Sequence, residues 1–262
     1  MSKKTQEEVQ VRSEEELAQA MAKMTPEQME EMQKNMEKMK QEQIENAKKQ
    51  QQEQIEMLTK VLTEFIPMFK EYVPKAIRTE SAMNPFKDDV SVNIRITHSM
   101  IGITTELNEL NKAVALQDNV NIIEELGDVL WYLAIAEDTL NFTESFDIST
   151  ENINSIFLGE DEAYSTDVLD LIKRSMFYGS EFDEGECIKP YISMLLGVII
   201  NSLKLGVDLT EIIDVNLKKL YTRYPDKFTK ELAELRDLAK ERETLETATT
   251  EVSGDQDTEE KA

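Results

Sequence analysis

Apolar residues return at helical spacing along this chain. Met29, Met32, Met36 and Met39 follow a three-four-three spacing, and Ile55, Leu58, Leu62, Phe65 and Phe69 do the same further on. Each run predicts the seam of an amphipathic helix or short coiled coil. Between them, from Gln41 to Gln54, the apolar stripe thins. Thr25-Pro26-Glu27-Gln28 predicts a helix start, with Thr25 as N-cap, Pro26 in the first turn and Gln28 closing a capping box. Pro67 and Pro74 are expected to break the second helix. A methionine stripe is either a promiscuous binding surface or a loosely specified helix seam. Self-association or docking of a partner protein is its expected role.

The pattern changes between His98 and Tyr132. Leu107 and Leu110, and later Leu126, Val129 and Leu130, keep helical spacing, but two acidic pairs lie among them. Glu106 pairs with Glu109, and Glu125 with Asp128. Three positions separate the members of each pair, so both carboxylates project from one helix face about one turn apart. The acids therefore lie along the edge of a buried face. Four carboxylates at such an edge repel one another unless divalent cations sit between them. Hard oxygen ligands suit magnesium, and manganese as well. Gly127, inside the second pair, costs roughly 1 kcal/mol relative to alanine in a helix and implies close backbone packing there. From the residues alone, the stretch is either a solvated acidic edge or a magnesium site between two helices.

Composition narrows the partners. The net charge is −24, from 53 acidic and 29 basic residues, and nucleic-acid binding would need a basic footprint instead. A nucleotide substrate stays open, because metal ions supply the positive charge a triphosphate requires. Eight glycines and six prolines in 262 residues fit a chain made mostly of helices. The single cysteine, Cys187, forms no internal disulfide and fits a reducing cytoplasm. The start MSKKTQEEV has no signal-peptide core, and no apolar run is expected to reach the ~20 residues of a membrane span.

The acidic stretch resembles the MazG-like, all-α nucleoside triphosphate pyrophosphohydrolases, a group related to dimeric dUTPases. Their signature is E-x-x-E, a spacer, then E-x-x-D. Here Glu106 and Glu109 are followed, after fifteen residues, by Glu125 and Asp128. His98, Gly102, Ile103 and the run EELGDVLWYLA match as well. Further on, DVLDLIKRSMFYG, with Lys173 and Arg174, resembles the run that in the family follows E-x-x-E directly. The segment from Ile188 to Leu205 falls where the E-x-x-D helix would stand, but it is acid-free, with Lys189, Pro190 and Ser193 near the acid places. Leu203 to Phe228 resembles the closing helix and its R-Y-P-x-x-F end. An internal duplication with divided labour is the reading of this order, one half keeping the acids and the other the lysine-rich turn and closing helix.

The resemblance implies an all-α helical bundle and hydrolysis of a nucleoside triphosphate, a deoxynucleotide first among them, to the monophosphate and pyrophosphate. It implies that Glu106, Glu109, Glu125 and Asp128 hold Mg2+, with Mn2+ an alternative. Glu124 is a spare acid beside them. Lys173, Arg174, Lys219 and Arg223 are candidates to neutralise phosphate oxygens, and Asn216 to contact sugar, base or a metal-linked water. Trp131 and Tyr132 are expected in the core and His98 in packing or capping. The expected layout is a helical arm over 1–80, a catalytic region over 84–240 divided into 84–156 and 157–240, and a disordered acidic tail over 241–262. Expected partners are the nucleotide and, through the arm, a second copy or another protein, with neither nucleic acid nor membrane. The rival readings are a catalytically silent relative serving assembly, and a nucleotidase or alarmone hydrolase of different specificity.

Overall fold

Thr25 opens the first helix as its sequence suggests. In the computed structural model, which describes residues 25–81, 94–157, 164–235, 237 and 239–247, its backbone N–H donates to Gln28 Oε1 at 2.9 Å. The Gln28 N–H donates back to Thr25 Oγ1 at 3.3 Å, which completes the capping box. Helix α1 then runs unbroken from Pro26 to Ile77. The breaks expected at Pro67 and Pro74 do not occur. Each proline costs roughly 3 kcal/mol in a helix interior. Around them, however, Phe65, Ile66, Phe69, Tyr72, Val73 and Ala76 are buried, and a large apolar side chain contributes about 1.5–3 kcal/mol when fully buried.

The chain divides into two units, residues 1–54 and 55–262. In the first, residues 26–54 are helical, and Met29, Met36 and Met39 are exposed. The division at 54/55 falls inside the arm expected over 1–80. The Ile55, Leu58, Leu62, Phe65 and Phe69 seam is core of the second unit, not a free arm. Residues 1–24 of the expected arm lie outside the described residues.

In the second unit, α2 (Ile94–Leu116) and α3 (Asn119–Leu140) form an antiparallel hairpin. Gln117, at φ 56°, makes the tight turn, and Asp118 caps α3 by accepting from the Asn121 N–H. Two short helices follow, α4 (Phe142–Ser145) and α5 (Thr150–Phe157). Next come α6 (Tyr164–Tyr178), a 3-10 turn at Glu184–Cys187, α7 (Ile188–Leu205), α8 (Leu209–Arg223) and α9 (Lys230–Glu234). Gly206, at φ +67°, ends α7, and Asp208 caps α8. The helix pair α6/α7, expected as counterpart of α2/α3, packs onto it: α6 lies on α2 and α7 on α3, while α8 covers α3 from another side. Among the described residues every regular element is a helix, so the all-α fold class holds.

Two expectations need correction. Glu184–Leu205 is long and apolar enough to cross a membrane, with mean hydropathy 1.3 over its most apolar window. Its Tyr191, Ile192, Leu195, Leu196, Val198 and Ile199 are instead buried within the bundle, and a central helix covered on several sides reads apolar for that reason. Residues 241–247, expected within the disordered tail, are helical, as part of a segment over 239–247. Leu245 sits in the core and Glu241 is buried against Arg223, which anchors this segment. The remainder of the tail, 248–262, lies outside the described residues.

Candidate active site

The α2/α3 hairpin brings the two acidic pairs face to face, because Glu106 on the descending helix stands opposite Glu125 on the ascending one. Carboxylate oxygens of Glu106, Glu109 and Glu125 all lie within 4.8 Å of one another. Burial first, then the hydrogen bond that its protonated form donates to Glu106 and the nearby Asp128 charge, pushes Glu125 up to about 8. Glu106 is raised too, by burial and by Asp128. Three carboxylates so placed favour proton sharing or a cation between them.

Asp128 has a different setting. Its Oδ1 accepts from Asn216 Nδ2 at 2.9 Å, and both its oxygens accept from Lys219 Nζ, at 2.6 and 2.5 Å. Lys219 also reaches Glu124 Oε1 at 3.2 Å and is only 2% exposed. Burial alone would lower its pKa, but Asp128 and Glu124 outweigh that and hold it above the usual lysine value. Asn216, equally buried, accepts at Oδ1 from the Tyr72 hydroxyl at 2.7 Å. Arg223 makes a two-point pair with Glu241, at 3.0 and 2.5 Å.

The acids, Lys219 and Arg223 line a cavity of about 410 Å³, with Asn216, Tyr72 and Glu241 outside its lining. Its lining includes Glu106, Glu109, Glu124, Glu125 and Asp128, with Lys219 and Arg223. His98, Trp131, Tyr132, Tyr224 and Phe228 line the same cavity. The Trp131 indole N–H is held by Ala76 O at 3.1 Å and Thr79 Oγ1 at 2.9 Å, and Tyr132 stands edge-on to it, ring centres 4.8 Å apart. His98 stands edge-on to both rings. Trp131, Tyr132 and His98, expected to serve packing, thus also face the cavity.

Of the candidate residues, the structure gathers Glu106, Glu109, Glu125, Asp128, Lys219 and Arg223 around one cavity, with Asn216 just behind Asp128. Lys173 and Arg174 are not brought there. They lie on α6, which packs on α2 and α7, and both pair with Asp170 of their own helix. The sequence reading missed Tyr72, which continues the Phe65–Phe69 seam and reads as core alone. It also missed Glu241, whose acidic surroundings hide it. The Arg78 guanidinium, over the Tyr221 ring at 4.2 Å, hydrogen-bonds the Tyr224 and Asp226 carbonyls and holds the wall formed by residues 224–228.

Glycines set the two closest approaches. A Cβ on Gly127 would stand 2.9 Å from Asn216 Cβ, and one on Gly102 would run into the Tyr132 ring at 2.1 Å. Gly127→Ala is therefore expected to cost about 1–3 kcal/mol through overpacking, read as a melting temperature lowered by several degrees. Gly197→Ala, where nothing lies within 4 Å of the added Cβ, should leave the melt unchanged or raise it slightly. Equal melts for the two variants would contradict the close approach at Gly127.

Residues 96–154 match the family model of the MazG nucleotide pyrophosphohydrolase domain. Members of that family are nucleoside triphosphate pyrophosphohydrolases and generally depend on divalent metal. No curated protein and no solved structure is found to match the chain. Over the stretch that carries both acidic pairs, residues 96–154, the chain is similar to the MazG nucleotide pyrophosphohydrolase domain, and its all-helical fold is consistent with that family.

Proposed function

We propose that this chain hydrolyses a nucleoside triphosphate, a deoxynucleoside triphosphate being the first class to test, to the monophosphate and pyrophosphate. The observation that carries the reading is the convergence of Glu106, Glu109 and Glu125 within 4.8 Å in a cavity that aromatic side chains also line. The donor set fits magnesium, and manganese as a substitute: all ligands are hard oxygens, and Glu125, at about 8, shows how poorly the cluster tolerates its own charge. Glu106, Glu109 and Glu125 would hold the ion, with Asp128 beside them. When bound, a divalent cation polarises the phosphoryl oxygens and lowers the barrier to attack by water.

The chain's own residues do the rest. Arg223 lines the cavity, fixed in place by Glu241, and would offset the charge of a bound triphosphate. Lys219 balances Asp128 and Glu124, so that the acidic cluster can accept an anionic substrate. A carboxylate of the same cluster takes the proton of the attacking water. The faces and edges of His98, Trp131 and Tyr132 offer the nucleobase a stacking wall. We read α6/α7 as the degenerate half of a duplicated core, which makes one acidic site per chain. Substrate specificity for small nucleotides over nucleic acid follows from the charge of −24. The free, buried thiol of Cys187 suits the cytoplasm, where we place the reaction.

A release assay across ribo- and deoxynucleoside triphosphates with magnesium tests the reading. Pyrophosphate and monophosphate should appear in equal amounts, and chelation should stop both. Orthophosphate release instead would indicate a nucleotidase, and no release with any nucleotide would indicate a silent, assembly-type relative. The exposed methionines of residues 26–54 belong to the same proposal as a self-association seam. Met36→Asp with Met39→Asp should lower the mass seen by light scattering, and an unchanged mass would remove that role.

A further inference from the structure

We propose that Tyr72 is a positioning residue for the acidic site, acting through Asn216 on Asp128. The inference rests on the functional reading above and lies outside the stretch the family model matches, because Tyr72 belongs to α1. An asparagine amide has one accepting and one donating end, and its polarity follows from its partners. Asp128 supplies only acceptor oxygens, so Asn216 must turn its Nδ2 toward it, as the 2.9 Å contact shows. The Oδ1 then points the other way, into the core, where it needs a donor. Tyr72 provides that donor at 2.7 Å, its hydroxyl kept protonated by burial and by the charge of Asp128.

Two contacts fix that orientation, Asp128 at the donating end and Tyr72 at the accepting end. Gly127 leaves room for the Asn216 side chain against α3 but sets only its position. Without the phenol hydroxyl, the buried Oδ1 is left without its donor and the preference weakens, and a flipped Asn216 would present Oδ1 to Asp128, oxygen against oxygen. Asp128 would then be held by Lys219 alone, and its aim toward the cluster of Glu106, Glu109 and Glu125 would loosen. A buried hydrogen bond from α1 thus sets the aim of a carboxylate on α3, by way of α8.

The test uses the full chain with manganese alone and then with magnesium and nucleotide. Groups that orient metal ligands typically change metal affinity or activity by about 10–100-fold. Tyr72→Phe, which removes only the hydroxyl, should weaken Mn2+ binding by ~10-fold in a titration followed by electron paramagnetic resonance. It should lower kcat by a similar factor and leave KM for the nucleotide within about twofold at saturating magnesium. Phe69→Leu, a change in the neighbouring ring of the same helix, should lower the melting temperature without touching Mn2+ affinity. Should Tyr72→Phe not fold, Asn216→Ser carries the comparison, since serine cannot span from Tyr72 to Asp128. Wild-type Mn2+ affinity and turnover in a folded Tyr72→Phe protein would overturn the positioning role and leave the functional reading standing. Equal weakening by Phe69→Leu would overturn it as well, by making the effect one of general stability. A wild-type protein that neither holds Mn2+ nor releases pyrophosphate would overturn the functional reading itself, and the positioning role with it.

Discussion

Glu125→Gln is expected to lower pyrophosphate release by about 10³-fold or more, while the metal-free variant melts higher than the wild type at pH 8. The first effect follows from the ligand set. A carboxamide is a poor magnesium ligand, and losing several kcal/mol of metal-derived stabilisation costs a factor of ten for each 1.36 kcal/mol. The second follows from the proton count. Glu125 titrates near 8 in the folded chain instead of near 4.5, so between those values the folded state holds a proton that the unfolded chain has released. Stability must then fall as pH rises through that window, by at most about 1.4 kcal/mol per unit before screening reduces it. Glutamine has no proton to lose. Melts followed by circular dichroism in chelator at pH 5 and pH 8 should show a drop for the wild type and a smaller one for Glu125→Gln, and magnesium should restore the wild type. Asp128→Asn should share the loss of activity. Turnover within a few-fold of wild type in both variants would remove the metal assignment.

Lys219→Met should be both inactive and less stable, because it takes away the buried cation between Asp128 and Glu124. Removing one partner of a buried pair typically costs 3–5 kcal/mol, since the remaining charge stays where solvent reaches it poorly. Here the acids are 25% and 20% exposed while the lysine is 2% exposed, so the lower figure, about 3 kcal/mol, applies. For a unit of this size that corresponds to a melting temperature lowered by roughly 6–12 °C. Lys219→Arg should not rescue activity, because a planar fork replaces a compact ammonium in a closed space. A melt within 2 °C of wild type, as a rough threshold on the same scale, would show that the pair carries no such load.

Glu106, Glu109, Glu125 and Asp128 were legible in the sequence because an antiparallel hairpin needs only helical periodicity and a short turn to bring them together. Gly127 was legible as a close approach, although its neighbour, Asn216, was not, since the contact spans 89 positions. Tyr72 stayed hidden because a tyrosine in an apolar seam has the same spacing whether or not its hydroxyl finds a partner. The prolines misled for a related reason: propensity is local, and the burial of Phe65, Phe69 and Tyr72 that overrides it is not. Lys173 and Arg174 matched a family run, yet pairing with Asp170 on their own helix and the place of α6 in the bundle keep them from the cavity. Glu241 was read as part of a solvated tail because composition cannot report a partner eighteen residues back.

The pairing of Lys219 with Asp128 also orders the events of folding. The α2/α3 hairpin is local in sequence and can form early, whereas α8 arrives from some ninety positions away. Until it docks, the hairpin carries its acids without their buried counter-charge, and closing them together is opposed by their own repulsion. The late step is therefore an electrostatic one, in which a helix must deliver a cation into a closing core. Magnesium present during refolding would do part of that helix's work ahead of time, and so the rate of folding, and not only the final stability, becomes a property of the ionic medium.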